Sequence, residues 1–119
     1  MKLLQVDPEH LWCKATDGSL KGDNIHKGTE LIFLKTNEEM KRHFDKYHQF
    51  NLATVYAVKV NETDILLRHL QLLKHFVILI PHNERYQPQI LDLNNVSFSV
   101  LGELLYILDN TLDDTETIQ

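Results

Sequence analysis

The chain contains few of the residues that build redox, membrane or nucleic-acid sites. It has one cysteine, Cys13, in 119 residues, which excludes an internal disulfide and a thiolate-rich zinc site. No apolar run approaches the roughly 20 residues that span a bilayer, so no membrane partner is expected. Acidic residues number 17 against 12 basic ones, and the formal charge of −5 disfavours nucleic acid as a partner. Met1 to Leu4 resembles the start of a signal peptide, but Gln5 and Asp7 interrupt it, which predicts a cytoplasmic location.

Glycine is also scarce, and its spacing predicts no cofactor. Gly18, Gly22 and Gly28 lie in the polar segment 16–28. Their intervals match neither the dinucleotide fingerprint nor the P-loop, and the segment does not lead from a strand into a helix. Turn geometry accounts for these glycines, and the segment is predicted to be a loop.

Histidine is abundant, with seven residues, so a metal site has to be weighed. His43 and His48 are five apart, and His69 and His75 are six apart. Neither spacing places two imidazoles on one helix face, as the i, i+4 pair of a helical zinc site does. No metal site is predicted from these spacings, although assembly from distant residues stays open.

No catalytic residue is predicted either. Cys13 could pair with a histidine as nucleophile and base, but the flanking Trp12 and Ala15 favour a buried and inert strand cysteine.

The stretch 51–80 is the predicted core. Residues 52–60 are rich in β-branched and aromatic side chains, and residues 77–80 are four consecutive aliphatics followed by Pro81, which predicts two strands. Between them, residues 61–64 can cap a helix, and the apolar residues up to Leu73 recur at about 3.6-residue spacing. Strand, helix and strand of this length predict a crossover unit with parallel strands.

The remaining segments complete an α+β prediction. Further strands are expected at residues 2–6, 11–15, 29–35 and 89–93, a helix from a Thr36/Glu39 capping box to Asn51, and another helix from about residue 95 to 108. The predicted order is β-β-β-α-β-α-β-β-α, with one mixed sheet of four to six strands and about three helices mainly on one face. Residues 1–110 are expected to form one domain, and residues 111–119 a frayed acidic tail.

Three stretches, residues 11–16, 31–39 and 55–60, are similar to the strand sequence of small ADP-ribosyltransferase-like folds. The resemblance implies an NAD-binding cleft within residues 11–90. Lys14 stands where those proteins carry Arg or His, and no catalytic Glu can be placed.

These observations favour a small non-enzymatic module that binds another protein or itself, as an immunity protein, antitoxin, inhibitor or adaptor encoded by a phage or mobile element. Its contact surface would be the open sheet face or the loop 82–86, because loops on a scaffold often carry binding residues. The alternative is a nucleotide-binding protein or enzyme with a reduced ADP-ribosyltransferase-like cleft. The candidate binding residues are Lys14, Thr16, Thr36, His82, Glu84, Arg85 and Tyr86.

Overall fold

A computed structural model describes residues 1–47 and 49–108, with the backbone alone for residues 43–47. The strands are β1 (Leu4–Asp7), β2 (His10–Lys14), β3 (Glu30–Lys35), β4 (Tyr56–Val60), β5 (Asp64–Leu73), β6 (Phe76–Ile80), β7 (Gln89–Asp92) and β8 (Phe98–Ile107). Helix α1 (Glu38–Tyr47) connects β3 to β4, and a 3₁₀ turn (Lys21–Asp23) lies between β2 and β3. The eight strands form one sheet in the order β1-β2-β3-β8-β4-β5-β6-β7, and every neighbouring pair is antiparallel.

The predicted α+β fold with a mixed sheet of four to six strands is therefore wrong. The segments expected to form the second and third helices are strands β5 and β8. In the described residues α1 is the only α-helix, so the sheet is not covered by about three helices. The predicted crossover unit is replaced by two hairpins, and β4 and β6 lie on either side of β5 instead of being joined through a helix.

The sequence of β5 resembles that of a helix because the centre of the strand is buried on both faces. Residues 67–70 are four consecutive buried positions, so the alternation of a half-exposed strand is lost. The first half of β5, from Asp64 to Arg68, pairs with β4. The second half, from His69 to Leu73, pairs with β6. Its hydrogen-bonded neighbour thus changes at the Arg68–His69 step, which makes β5 the strand that joins the two parts of the sheet.

The sequence of β8 resembles that of a helix because two register shifts interrupt the alternation of apolar and polar residues along the strand. Leu101 is an extra residue in the pairing with β4, and Leu105 is an extra residue in the pairing with β3. Each extra residue moves the following side chains to the other face, so the apolar positions no longer recur every second residue. Gly102 lies between the two shifts, where an added Cβ would approach the Leu34 carbonyl oxygen to 2.7 Å.

The helix predicted after residue 36 is confirmed as α1, but its cap is one residue later than expected, and the described helix ends at Tyr47 instead of at Asn51. The side chain of Asn37 accepts a hydrogen bond from the Met40 amide at 2.9 Å, as an N-cap residue does. The Thr36/Glu39 capping box was therefore the wrong assignment. The strands predicted at residues 2–6, 11–15, 29–35, 52–60, 77–80 and 89–93 are confirmed with shifted bounds.

Two apolar clusters lie on opposite faces of the sheet, since neighbouring residues of β4 belong to different clusters. Ala57 packs with Leu31 and Phe33 under the loop 16–28, which contributes the buried side chains Leu20 and Ile25. On the other face, Tyr56, Val58 and Val60 pack with a second set from β5 and β6, which consists of Leu70, Val77 and Leu79. The loop 16–28 is thus part of the core, although it has no strand.

The described residues contain no helix long and apolar enough to cross a membrane. The acidic tail predicted at residues 111–119 lies outside the described residues.

Candidate functional site

The loop 16–28 and the loop 82–86, called the first and the second loop below, lie against each other. The Gly22 amide donates to the His82 carbonyl oxygen at 2.6 Å, and the His82 amide donates to the Ser19 carbonyl oxygen at 2.8 Å. An added Cβ on Gly22 would lie 2.7 Å from that same His82 oxygen, so the close approach requires glycine. The segment 19–22 therefore pairs with the chain just beyond the end of β6.

Side chains strengthen this loop contact. The Asn83 amide group donates to the Gly18 carbonyl oxygen at 2.8 Å, and the Tyr86 hydroxyl accepts from the Gly18 amide at 3.3 Å. Of the candidate residues in the loop 82–86, His82 and Tyr86 are thus hydrogen-bonded to the loop 16–28. Glu84 and Arg85 are exposed to solvent.

The remaining candidate residues are separated from one another. Lys14 pairs with Glu30 at one end of the β2–β3 ladder. Thr36 follows the other end, about 20 Å from Glu30 along the strand, and lines an open groove with Pro8 and Glu9. Thr16 and Arg68 both line a cavity of ≈ 20 Å³. This cavity has room for about one water molecule. The structure does not gather Lys14, Thr16 and Thr36 in one cleft.

Arg68 on β5 binds the first loop through a hydrogen bond to Ser19. Its guanidinium donates to the Ser19 hydroxyl and to the Leu67 carbonyl oxygen, both at 2.8 Å, and the residue is 8% exposed. Burial lowers the pKa of Arg68, and the nearby charge of Asp17 partly offsets this effect. Burial also raises the pKa of Asp17, but the hydrogen bonds from Ser19 and the charge of Arg68 together outweigh it, so the pKa of Asp17 lies below its usual value.

Immediately beside this contact, Asp23, His69 and His82 form a cluster that joins three parts of the chain. Nε2 of His69 lies 2.9 Å from Oδ2 of Asp23, and Nδ1 of His82 lies 3.0 Å from Oδ1 of the same carboxyl group. The two imidazole rings stack with centroids 3.8 Å apart and planes 19° apart. We call these three residues the Asp–His–His cluster.

Each member is held by a different element. Asp23 ends the 3₁₀ turn, where Asn24 closes it in the left-handed conformation. His69 is the residue of β5 at which pairing changes from β4 to β6, and it is 1% exposed. His82 follows β6 after Pro81 and is tied to the first loop through its own backbone. The cluster is therefore fixed by the same hydrogen bonds that join the two loops.

The hydrogen bonds of His69 define which of its nitrogens carries a hydrogen. Nδ1 lies 2.8 Å from the Leu52 carbonyl oxygen, which can only accept, so Nδ1 is the donor. Nε2 then faces the Asp23 carboxylate at 2.9 Å, so both ring nitrogens of His69 have an oxygen partner.

Local sequence patterns could not reveal this cluster, because its members are 46 and 13 residues apart. The only available signal was an isolated histidine in an apolar segment, together with two polar loops. Of the three residues, sequence analysis selected His82 and missed Asp23 and His69.

A second candidate surface lies on the sheet itself. Leu4 pairs with Trp12, Trp12 with Ile32, and Ile32 with Tyr106, so these four side chains stand side by side on one face of β1, β2, β3 and β8. We call them the outer-face row. Leu4 is 49% and Tyr106 is 60% exposed, while Trp12 and Ile32 are half-buried. The row spans three interstrand distances, or about 14 Å.

Comparison with known proteins gives no family for this chain: no family model matches it, and no curated protein matches it in sequence.

Proposed function

We propose that this protein is a cytoplasmic, non-enzymatic module that binds another protein molecule through the outer-face row. The observation that carries the proposal is the alignment of four large side chains on a sheet face, of which Leu4 and Tyr106 are exposed and Trp12 and Ile32 are half-buried. Contiguous exposed apolar residues on a folded domain mark interaction surfaces, and aromatic residues are enriched at the centres of such surfaces.

The polar surroundings of the row are suited to a specific contact. The Trp12 indole donates to the Glu30 carboxylate at 3.0 Å, so the ring is held in one orientation. Lys14 lies across from Glu30 on the neighbouring strand, which places one charge of each sign beside the apolar row. Such a rim favours a partner with matching charges and limits nonspecific association.

The partner can be a second copy of this chain or a different protein, and both fit the role of an immunity protein, antitoxin, inhibitor or adaptor. Self-association is the form to test first because it needs no other component. A homodimer through this face would place two copies of the row against each other around a twofold axis.

The test measures mass against protein concentration by light scattering, followed by copurification from the native host. Tyr106→Lys places a charge in the row at an exposed position, so it should weaken the association without unfolding the chain. Ile90→Lys is the matched control, since Ile90 is 67% exposed on β7 at the opposite edge of the sheet. The proposal predicts that Tyr106→Lys lowers the mass or loses the partner while Ile90→Lys does not.

If Tyr106→Lys retains every partner and the same mass as the original chain, the outer-face row is not the contact surface. The alternative of a nucleotide-binding protein or enzyme gains no support from the described contacts, because the candidate cleft residues Lys14 and Thr36 lie apart. A change in melting temperature with NAD or ADP-ribose would favour that alternative.

A further inference from the structure

We propose that the Asp–His–His cluster binds one divalent transition-metal ion, of the zinc class. Two imidazoles and one carboxylate form a common ligand set for such ions, and this set leaves a further position for water. One ligand atom from each residue lies within 4.8 Å of the other two. The proposal is independent of the outer-face row.

The hydrogen bond of His69 to the backbone is the first supporting observation. Histidines that bind metals usually donate their other ring hydrogen to a carbonyl or carboxylate, which orients the ring and leaves a lone pair for the metal. Nδ1 of His69 makes this contact with Leu52 at 2.8 Å, and Nε2 faces the other two residues of the cluster. The buried histidine thus has the orientation of a metal ligand.

The site can accept an ion once the ring of His82 has turned. Zinc binds nitrogen and carboxylate oxygen at about 2.0–2.2 Å, so two ligands at the tetrahedral angle lie about 3.3–3.5 Å apart. The carboxylate–imidazole distances are 2.9 Å from Oδ2 of Asp23 to His69 and 3.0 Å from Oδ1 to His82, so each imidazole meets a different oxygen. Because a metal ion lies in the plane of each imidazole that binds it, and the two rings are stacked with planes 19° apart, one ring must turn before both can bind the same ion. His82 can turn because its side chain is 41% exposed, and the Asp23 side chain, at 21% exposed, can follow it.

The exposure of the three residues also provides a route for the ion. The side chain of His69 is 2% exposed and forms the floor of the site, whereas His82 lies at the surface. An ion would enter from the side of His82. Once bound, it would link the first loop to β5 and to the chain after β6, so binding should stabilise the fold.

The test uses the full chain, freed of metal with a chelator and titrated with Zn²⁺ by calorimetry and with Co²⁺ by visible absorption. The original chain should bind one equivalent and melt at a higher temperature with Zn²⁺. His82→Gln and Asp23→Asn should each weaken Zn²⁺ binding at least about tenfold. Loss of a residue that only orients a metal ligand already costs about tenfold or more, and loss of the ligand itself should cost at least as much.

The matched control is His75→Gln. His75 is 47% exposed and lies 3.9 Å from Asp92, so it is another surface histidine beside a carboxylate but is outside the cluster. This variant should bind Zn²⁺ as the original chain does. Melting temperatures in chelator will establish that all variants are folded.

Three results would overturn the proposal: no saturable binding of Zn²⁺ or Co²⁺ by the original chain, undiminished binding by both His82→Gln and Asp23→Asn, or an equal loss in His75→Gln. Any of these would leave the cluster as a hydrogen-bonded link between loops. Mg²⁺ and Ca²⁺ should give no comparable binding, since these ions prefer ligand sets made of oxygen.

Discussion

At the scale of single residues, Gly22 permits the close contact between the two loops because it has no Cβ atom. Gly22→Ala would place Cβ 2.7 Å from the His82 carbonyl oxygen, which is a backbone atom that cannot turn aside. We expect a loss of about 1–3 kcal/mol in the free energy of unfolding, measured by urea denaturation.

Gly18→Ala is the control for this substitution. Its Cβ would meet only the end of the Asn83 side chain at 3.6 Å, an ordinary contact. We expect this variant to stay within about 1 kcal/mol of the original chain. Equal effects of the two substitutions would contradict the described contact between the loops.

The burial of Cys13 was predicted correctly from the sequence. The flanking residues predicted a buried thiol, and Cys13 is fully buried in the first apolar cluster. Burial raises the pKa of this thiol from 9.0 to about 11. Because the thiolate is the reactive form, a disulfide reagent should modify the folded chain at least about a hundredfold more slowly than the unfolded chain. Equal rates in buffer and in urea would refute this prediction.

The same shift in pKa gives a stability change with a defined sign. The folded chain holds the proton of Cys13 more tightly than the unfolded chain does, so this contribution is fully present below pH 9 and is lost as the pH rises toward 11. Two pKa units correspond to about 3 kcal/mol. Urea denaturation from pH 8 to 11 should show a steeper loss for the original chain than for Cys13→Ala, and parallel curves would contradict the assignment.

At the scale of elements, the turns distinguish a strand from a helix in the segment that sequence analysis misassigned. Glu62 in the β4–β5 turn has φ of 66°, and Lys74 in the β5–β6 turn has φ of 56°. The left-handed conformation costs a residue other than glycine about 1–2 kcal/mol in steric strain. Glycine avoids this strain but loses about 0.5–1 kcal/mol more conformational entropy on folding. Both turns therefore favour glycine.

We expect Glu62→Gly and Lys74→Gly each to leave stability unchanged or raise it by up to about 1 kcal/mol in urea denaturation. In a helix each substitution would instead cost about 1 kcal/mol. Glu62 also accepts a hydrogen bond from Ser97 at the surface, so Lys74→Gly is the cleaner measurement. A clear loss of stability in Lys74→Gly would contradict the hairpin.

The elements also show which parts of the fold were predictable. The short strands and α1 were identified because each has a regular local pattern and is bounded by turn residues or a cap. Strand β5 was missed because its centre is buried on both faces, and β8 was missed because two register shifts break its alternation. In both cases tertiary pairing determines the side-chain pattern, and a single sequence does not contain that pairing.

At the scale of the whole molecule, the antiparallel sheet explains both candidate sites. Its change of pairing along β5 places His69 beside two loops that are distant in sequence, which assembles the Asp–His–His cluster. In its other part, the register of β1, β2, β3 and β8 aligns the outer-face row on one face of the sheet. Neither arrangement follows from local spacing. The sequence predicted an open face on a sheet covered by helices on its other face, and that sheet is not the one observed, so the outer-face row was identified only from the observed register.

The most direct test of the proposed binding surface uses Trp12, the single tryptophan of the chain, which lies in the outer-face row. Acrylamide quenching of its fluorescence is measured at low and high protein concentration, and with any partner that copurifies. Binding through this face should lower the quenching constant in the original chain and in Ile90→Lys, but not in Tyr106→Lys. If the mass rises or a partner binds while quenching of Trp12 stays unchanged, the contact lies elsewhere and the central claim is wrong.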